Sequence, residues 1–190
     1  IGLYYYDKSE FDKALEYYLN NVKIRLKLFG KKHSSISSAY LNIGYIYKDR
    51  KQYSKSLHYF HLSMISNLWN YSDTLNTSIL PVMNNYIEHS NLLNALLAKA
   101  KLFANNYKGL NLTEFNAKQI ALKHYQASDT IITKARREIT TKSDKLALGE
   151  QVYEIYKGAV NTSYDLGILN DELKTKNSTK NTQNYFHQAF

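Results

Sequence analysis

From Ser37 to Trp69 the apolar positions recur at helical spacing in two runs. In the first, Tyr40, Ile43, Gly44 and Tyr47 stand at i, i+3, i+4 and i+7 on one face. Asp49-Arg50-Lys51-Gln52 then forms a polar turn. In the second, Tyr53, Ser56, Leu57, Phe60, Met64 and Leu68 keep the same spacing. Small residues (Gly44, Ser56, Ser63) alternate with large ones (Tyr47, Phe60), so two helices can approach closely while a ring fills the gap beside them. The first thirty residues carry the same pattern, 42 residues upstream: Ile1/Ile43, Gly2/Gly44, Tyr5/Tyr47, Asp7/Asp49, Lys13/Lys55, Leu15/Leu57, Tyr17/Tyr59 and Leu26/Leu68 are identical. Phe11, Ala14, Leu15, Tyr18, Val22, Leu26 and Phe29 make the second helix of that copy, and Gly30 ends it where a left-handed cap is cheapest. A fixed period of this size predicts stacked helical repeats.

The pattern resembles the tetratricopeptide repeat, in the long form found in kinesin light chains. Tyr40, Ile43, Gly44 and Tyr47 on the first helix and Ser56, Phe60 and Ser63 on the second carry the resemblance, together with the link Lys27-Leu28-Phe29-Gly30-Lys31-Lys32-His33. Ser34 replaces the usual proline of the link, and Asn21, Ser56 and Ser63 replace alanines. The resemblance implies an all-α solenoid of antiparallel helix pairs, and binding of a protein or peptide partner along the concave surface lined by the first helices. Half a turn from the packing face of the first helix lie Ser38, Asn42, Tyr45 and Asp49, with Leu41 and Lys48 at the edges. The equivalent positions of the first copy include Tyr6 and Asp7. These eight are the expected partner contacts. The resemblance implies that Asn42 bonds a ligand backbone, and Tyr45 is expected as an exposed anchoring ring.

Beyond the two repeats of residues 1–69, residues 70–91 are polar around Pro81 and read as an irregular connector. Residues 92–140 read as an atypical helix pair. Leu93, Leu96, Leu97, Ala100, Phe103, Ala104 and Tyr107 form one face, and a helix starting at Thr113-x-x-Asn116 forms the other partner. On that second helix Ala121, Tyr125 and Ser128 repeat the small–large–small pattern of Ser56, Phe60 and Ser63. Residues 141–170 read as a long helix capped by Ser143 or Asp144 and striped by Leu148, Val152, Ile155, Tyr156, Ala159, Tyr164 and Leu166. Gly158 and Gly167 cost it roughly 1 kcal/mol each relative to alanine, so packing has to hold it. Residues 171–190 lack apolar periodicity up to Gln183 and read as a loop followed by the start of another helix. Leu92-Leu93-x-x-Leu96-Leu97, Ala121-Leu122-x-x-Tyr125, Val152-Tyr153-Glu154-Ile155-Tyr156 and Gln188-Ala189-Phe190 resemble the helical region ahead of the caspase-like peptidase domain in bacterial TPR–CHAT proteins. That resemblance implies a catalytic domain outside this segment. The chain is accordingly expected to be a piece of a longer cytoplasmic protein, its regulatory or sensing part. A sensor preceding a signalling kinase is the other expectation.

Composition narrows the chemistry. There is no cysteine, so no thiolate nucleophile, thiolate metal site or disulfide is available. One proline and seven glycines in 190 residues suit long helices. No apolar run approaches the length of a membrane span. The net charge of +9 is spread over both halves, with the densest run at Lys23, Arg25, Lys27, Lys31 and Lys32. Such a run is a nucleic-acid or anionic-lipid patch or, as favoured here, a solvated helix end whose cations suit the negative end of the dipole. His58 and His61 stand at i, i+3 without a nearby cysteine or carboxylate in sequence, so no metal or other cofactor is expected. Glu150 and Glu154 read as a solvated face beside Lys157 rather than an acid–base couple. Trp69 reads as a cap on the core. No nucleophile elbow or phosphate loop is present, and the segment is not expected to be an enzyme.

Overall fold

The computed structural model describes residues 1–74, 80–83 and 85–188, with side chains through residue 175. Seven α-helices follow one another in these residues: α1 (Gly2–Asp7), α2 (Phe11–Phe29), α3 (Ser34–Asp49), α4 (Tyr53–Ser66), α5 (His89–Asn106), α6 (Glu114–Glu138) and α7 (Lys142–Gln188). The fold is all-α, a helical repeat in which each helix packs on its sequence neighbours, and no strand occurs among the described residues. None of these helices is long and apolar enough to cross a membrane.

The repeat is visible bond by bond in the backbone. Ser9 and Lys51, 42 residues apart, both adopt φ 59°. Around them Ser9 N–H donates to Tyr6 O and Lys51 N–H to Lys48 O, each at 2.8 Å. Glu10 N–H donates to Tyr5 O at 2.9 Å and Gln52 N–H to Tyr47 O at 2.8 Å. This pair of bonds closing over a left-handed residue is the Schellman end of a helix. The same closure recurs a third time, at the end of a 3₁₀ turn (Tyr107–Leu110) following α5: Asn111 has φ 56°, and Leu112 N–H donates to Tyr107 O at 3.1 Å. The third pair, α5 with α6, is therefore built on the same corner. The links between pairs differ. Gly30 adopts φ 72° and ψ −167°, a positive-φ extended conformation open to glycine and not the left-handed helical cap expected. His33 then caps α3, its Nδ1 accepting from Ser35 N–H at 3.2 Å, with its ring stacked on Phe29 at 4.3 Å.

α3 and α4 approach closely because the expected small residues lie between them. A Cβ on Gly44 would stand 2.4 Å from the Phe60 ring. Ser56 Oγ donates to Gly44 O at 2.8 Å and Ser37 Oγ to Ser63 O at 2.8 Å. On its other side α3 buries Ala39, Ile43 and Ile46 against Ala14, Leu15 and Val22 of α2. α5 is different: Leu92, Leu93, Ala95, Leu96, Ala98, Lys99, Ala100, Leu102 and Phe103 are all buried, so it is enclosed rather than one-faced.

Several boundaries depart from expectation. α4 stops at Ser66, and Trp69 is 52% exposed instead of capping the core. The reason lies in the connector. Leu68 pairs with Tyr86 in an isolated antiparallel bridge, Trp69 N–H donates to Asn85 O at 3.2 Å, and buried Asn67 brackets Glu88 with its side chain. These bonds turn the chain before Trp69 can reach inward. α7 starts one residue after Thr141, whose Oγ1 accepts from Asp144 N–H at 3.1 Å and donates to Asp144 Oδ2 at 2.6 Å; Thr141 is the cap, not Ser143 or Asp144. The loop expected over residues 171–183 is helix, continuous with α7. Residues 168–188 hold no proline or glycine, so the absence of an apolar stripe removes packing but supplies no stop. Residues 189 and 190, where the next helix was expected to continue, lie outside the described residues.

Candidate functional site

The first helices α1, α3, α5 and α7 are stitched edge to edge by polar bonds. The Tyr6 hydroxyl donates to Asp49 Oδ2, joining α1 to α3. Ser38 Oγ donates to Asn91 Oδ1 at 3.0 Å, and Asn91 Nδ2 to Ser34 O at 3.1 Å, joining α3 to α5. Gln151 Nε2 donates to Ser90 Oγ and Asn94 Oδ1, each at 2.9 Å, and Lys101 Nζ lies 2.5 Å from Glu154 Oε2, joining α5 to α7. The face predicted on α3 is thus one strip of a polar surface that runs across all four.

The eight predicted residues fall into distinct roles on it. Leu41 is 8% exposed and sits in the core with Leu57 and Phe60, so it is not at the edge of an open face. Tyr45 is half-buried, its ring edge-on to Phe60 at 5.1 Å, so it is not a free anchor; burial, aided by Asp49, raises its hydroxyl pKa. Tyr6 is half-buried, with its pKa raised by burial and by the bond to Asp49. Ser38, Tyr6 and Asp49 are spent on holding helices together. Lys48 Nζ stands 5.5 Å over the Tyr45 ring and 3.5 Å from Asp49 Oδ1. Asp7 is exposed. Asn42 is half-buried, and its amide makes no hydrogen bond to any described residue.

The strip continues where the pattern of α3 alone gave no signal. Between α5, α6 and α7 a cleft of about 160 Å³ is walled by Lys101, Asn105, Lys118, Glu154, Lys157 and Asn161, among others. Lys118 is nearly buried, 2.6 Å from Asp165 Oδ2 and 3.5 Å from Glu114 Oε1. Glu154 is held below the usual carboxylate range by its bond to Lys101. A polar residue at every third or fourth position of α7 (Gln151, Glu154, Lys157, Asn161, Asp165) was the available signal; on α5 the run is interrupted by Leu97 and Ala98 between Asn94 and Lys101.

The histidine pair separates. His58 is exposed, while His61 is fully buried with Nε2 2.7 Å from Asp73 O and Nδ1 3.2 Å from Lys99 Nζ. The basic run is partly consumed by the fold: Arg25 Nη1 donates to Ser35 O at 2.9 Å, and Lys32 Nζ donates to Ile65 O at 2.8 Å and to Tyr71 O.

A family model described as tetratricopeptide repeat matches residues 1–35, that is α1, α2 and the link to α3. No curated protein and no solved structure matches the chain.

Proposed function

We propose that the first-helix surface binds an extended segment of a protein partner, through Asn42 and Lys48 on α3 and onward into the cleft between α5 and α7. Repeats of the matched family mediate protein–protein contacts, which supports a binding role and a protein as the partner. The observation that carries the reading is Asn42. Its amide has one donor group and one acceptor to offer, is partly desolvated, and is unpaired among the described residues while its neighbours are locked by Ser38–Asn91 and Tyr6–Asp49. An amide in that setting suits the alternating N–H and C=O groups of an extended backbone. Binding, not catalysis, is the activity proposed for the segment. A role as the regulatory part of a larger protein extends this proposal; the resemblance of residues 73–190 to the region ahead of a CHAT peptidase is its sole basis, and a sensor ahead of a kinase is the alternative.

The test uses a random peptide display library panned against the chain, followed by titration of the selected peptides. One net hydrogen bond contributes about 0.5–1.5 kcal/mol, so Asn42→Ala should weaken the selected peptides by up to about tenfold. Asn42→Ala with Lys48→Ala should weaken them further, with melting unchanged. Thr130→Ala, exposed on α6, is the control and should change nothing. Peptides that bind the double variant as tightly as the parent would end the groove reading.

A further inference from the structure

α7 carries apolar side chains on two opposite faces. Leu148, Val152, Ile155, Ala159 and Thr162 are buried or half-buried on the side of α5 and α6. Leu146, Tyr153, Val160, Tyr164 and Ile168 form a second stripe and are 67, 62, 67, 71 and 45% exposed. Their spacing of seven, seven, four and four keeps them on one line of the helix. Gly167 lies on this stripe. A Cβ there would meet nothing within 4 Å, whereas one on Gly44 or Gly158 would stand 2.4 Å from a ring. Glycine is among the least favoured residues in a helix, and packing within the described residues does not require it at 167.

A register between α3 and α7 explains both facts. Leu166-Gly167-Ile168-Leu169 can be laid over Ile43-Gly44-Tyr45-Ile46, 123 residues on: the glycine is shared, and the positions of Ile43 and Ile46 stay aliphatic as Leu166 and Leu169. In that register Ala39, Ile43 and Ile46, which α3 buries against α2, become Thr162, Leu166 and Leu169, which are buried or half-buried. Ser37, Gly44 and Tyr45, which α4 covers on α3, and Leu41, which is buried in the core, become Val160, Gly167, Ile168 and Tyr164 of the exposed stripe. α7 thus has the neighbour that α2 is to α3 and, among the described residues, not the neighbour that α4 is to α3.

We propose that this outer face of α7 binds an antiparallel amphipathic helix of a protein partner, one that carries a small–aromatic–small triplet at i, i+4 and i+7. The aromatic ring lies over Gly167 as Phe60 lies over Gly44, and the small residues let the helix axes close on Val160 and Tyr164. The site adjoins the polar cleft described above, because Lys157 walls that cleft and also stands between Tyr153 and Val160 with its Nζ 5.5 Å from the Tyr153 ring, but Gly167 does not line the cleft.

The probe is a synthetic peptide of residues 52–67 of this chain, which holds the triplet Ser56, Phe60 and Ser63, titrated into the full chain by fluorescence anisotropy. Saturable binding is expected. It should weaken by at least about tenfold with Gly167→Leu in the chain, because a side chain there overpacks the joint, and also with Phe60→Ala in the peptide. The melting temperature of Gly167→Leu alone should hold or rise, since leucine favours the helix and meets open space. No binding, or equal binding to Gly167→Leu, overturns the proposal. So does a melting temperature that falls, which would mean the face is already covered within the chain. Self-association lost in Gly167→Leu would place a second copy on the face and overturn the partner helix.

Discussion

The second and third helix pairs use the same triplet toward different neighbours. In α3–α4 the ring of Ser56-Phe60-Ser63 covers Gly44 on the first helix of its own pair. In α5–α6 the ring of Ala121-Tyr125-Ser128 covers Gly158 on the following helix, where a Cβ would stand 2.4 Å from it. α5 has no glycine and is instead filled on nearly every side, to the point of burying the amine of Lys99. The small–large–small motif therefore specifies a close helix joint but not which helix completes it. The completing partner is set by where the glycine stands. A pair without one closes by side-chain volume, and in that pair the buried polar groups include two lysines, Lys99 and Lys118, where α3–α4 buries serines and His61.

The largest expected effect tests the glycine joint. Gly44→Leu drives a side chain into the Phe60 ring at the centre of α3–α4 and should cost about 1–3 kcal/mol. For a chain of this size that lowers the melting temperature by about 2–4 °C per kcal/mol. Combining it with Phe60→Ala should cost less than the sum of the single changes, since the two residues fill one space. Additive losses would show that the joint is not a unit, and the contrast between the pairs would fail.

Much of the joint was legible in sequence and much of its setting was not. The 42-residue repeat gave the faces of α1 to α4, because small and large residues alternate at fixed phase. It placed Leu41 and Tyr45 on an open face because half a turn from a packing stripe reads as solvent. A first helix in a stack is covered on more than one side: Leu41 is buried in the core cluster that holds Phe60, and Tyr45 meets the Phe60 ring edge-on. Trp69 was misplaced because backbone pairing between Asn67 and Ile87 is invisible to side-chain periodicity. Gly158 and Gly167 look alike in sequence; only the position of Tyr125 distinguishes them. Lys99 gave no signal at all, since a lysine among leucines on an amphipathic helix reads as its polar face.

That lysine sharpens the comparison from the other pair. Lys99 is fully buried beside His61, and burial brings its pKa down from 10.5 to about 7. Burial likewise lowers His61 to about 4 and His124 to about 3, with Lys99 adding to both. His124 Nε2 has no partner among the described residues. A lysine with a depressed folded pKa is protonated more readily in the unfolded chain between the two values. Stability should therefore rise with pH from about 7 toward about 10.5, by up to about 1.4 kcal/mol per pH unit. The histidines act in the same sense lower down, so stability should fall as pH drops from 6.5 toward about 4. Lys99→Met removes the upper slope and leaves a reduced lower one, since burial, the larger cause of the histidine shifts, remains. Denaturant unfolding at several pH values checks this: the variant should be the more stable protein near neutrality, and the difference should shrink toward about pH 9.5. Parallel curves for parent and variant would mean that the amine is not what distinguishes the α5–α6 pair.

The smallest effect separates glycines on one helix. Gly149 and Gly158 both lie within α7, and helix propensity alone predicts that alanine stabilises each by about 1 kcal/mol. Their surroundings predict opposite signs. A Cβ on Gly149 would meet nothing within 4 Å, so Gly149→Ala should realise that gain. A Cβ on Gly158 would stand 2.4 Å from Tyr125 Cζ and 2.5 Å from its hydroxyl oxygen. The Tyr125 ring is buried in the core, so it cannot swing away freely, and overpacking outweighs propensity. Gly158→Ala should therefore destabilise the chain, and Gly158→Ala with Tyr125→Phe should recover part of the loss because the hydroxyl is among the closest atoms. Chemical unfolding of the three variants decides it. If Gly158→Ala gains as much as Gly149→Ala, the Tyr125 ring does not complete its joint on α7, and the contrast between the second and third pairs fails.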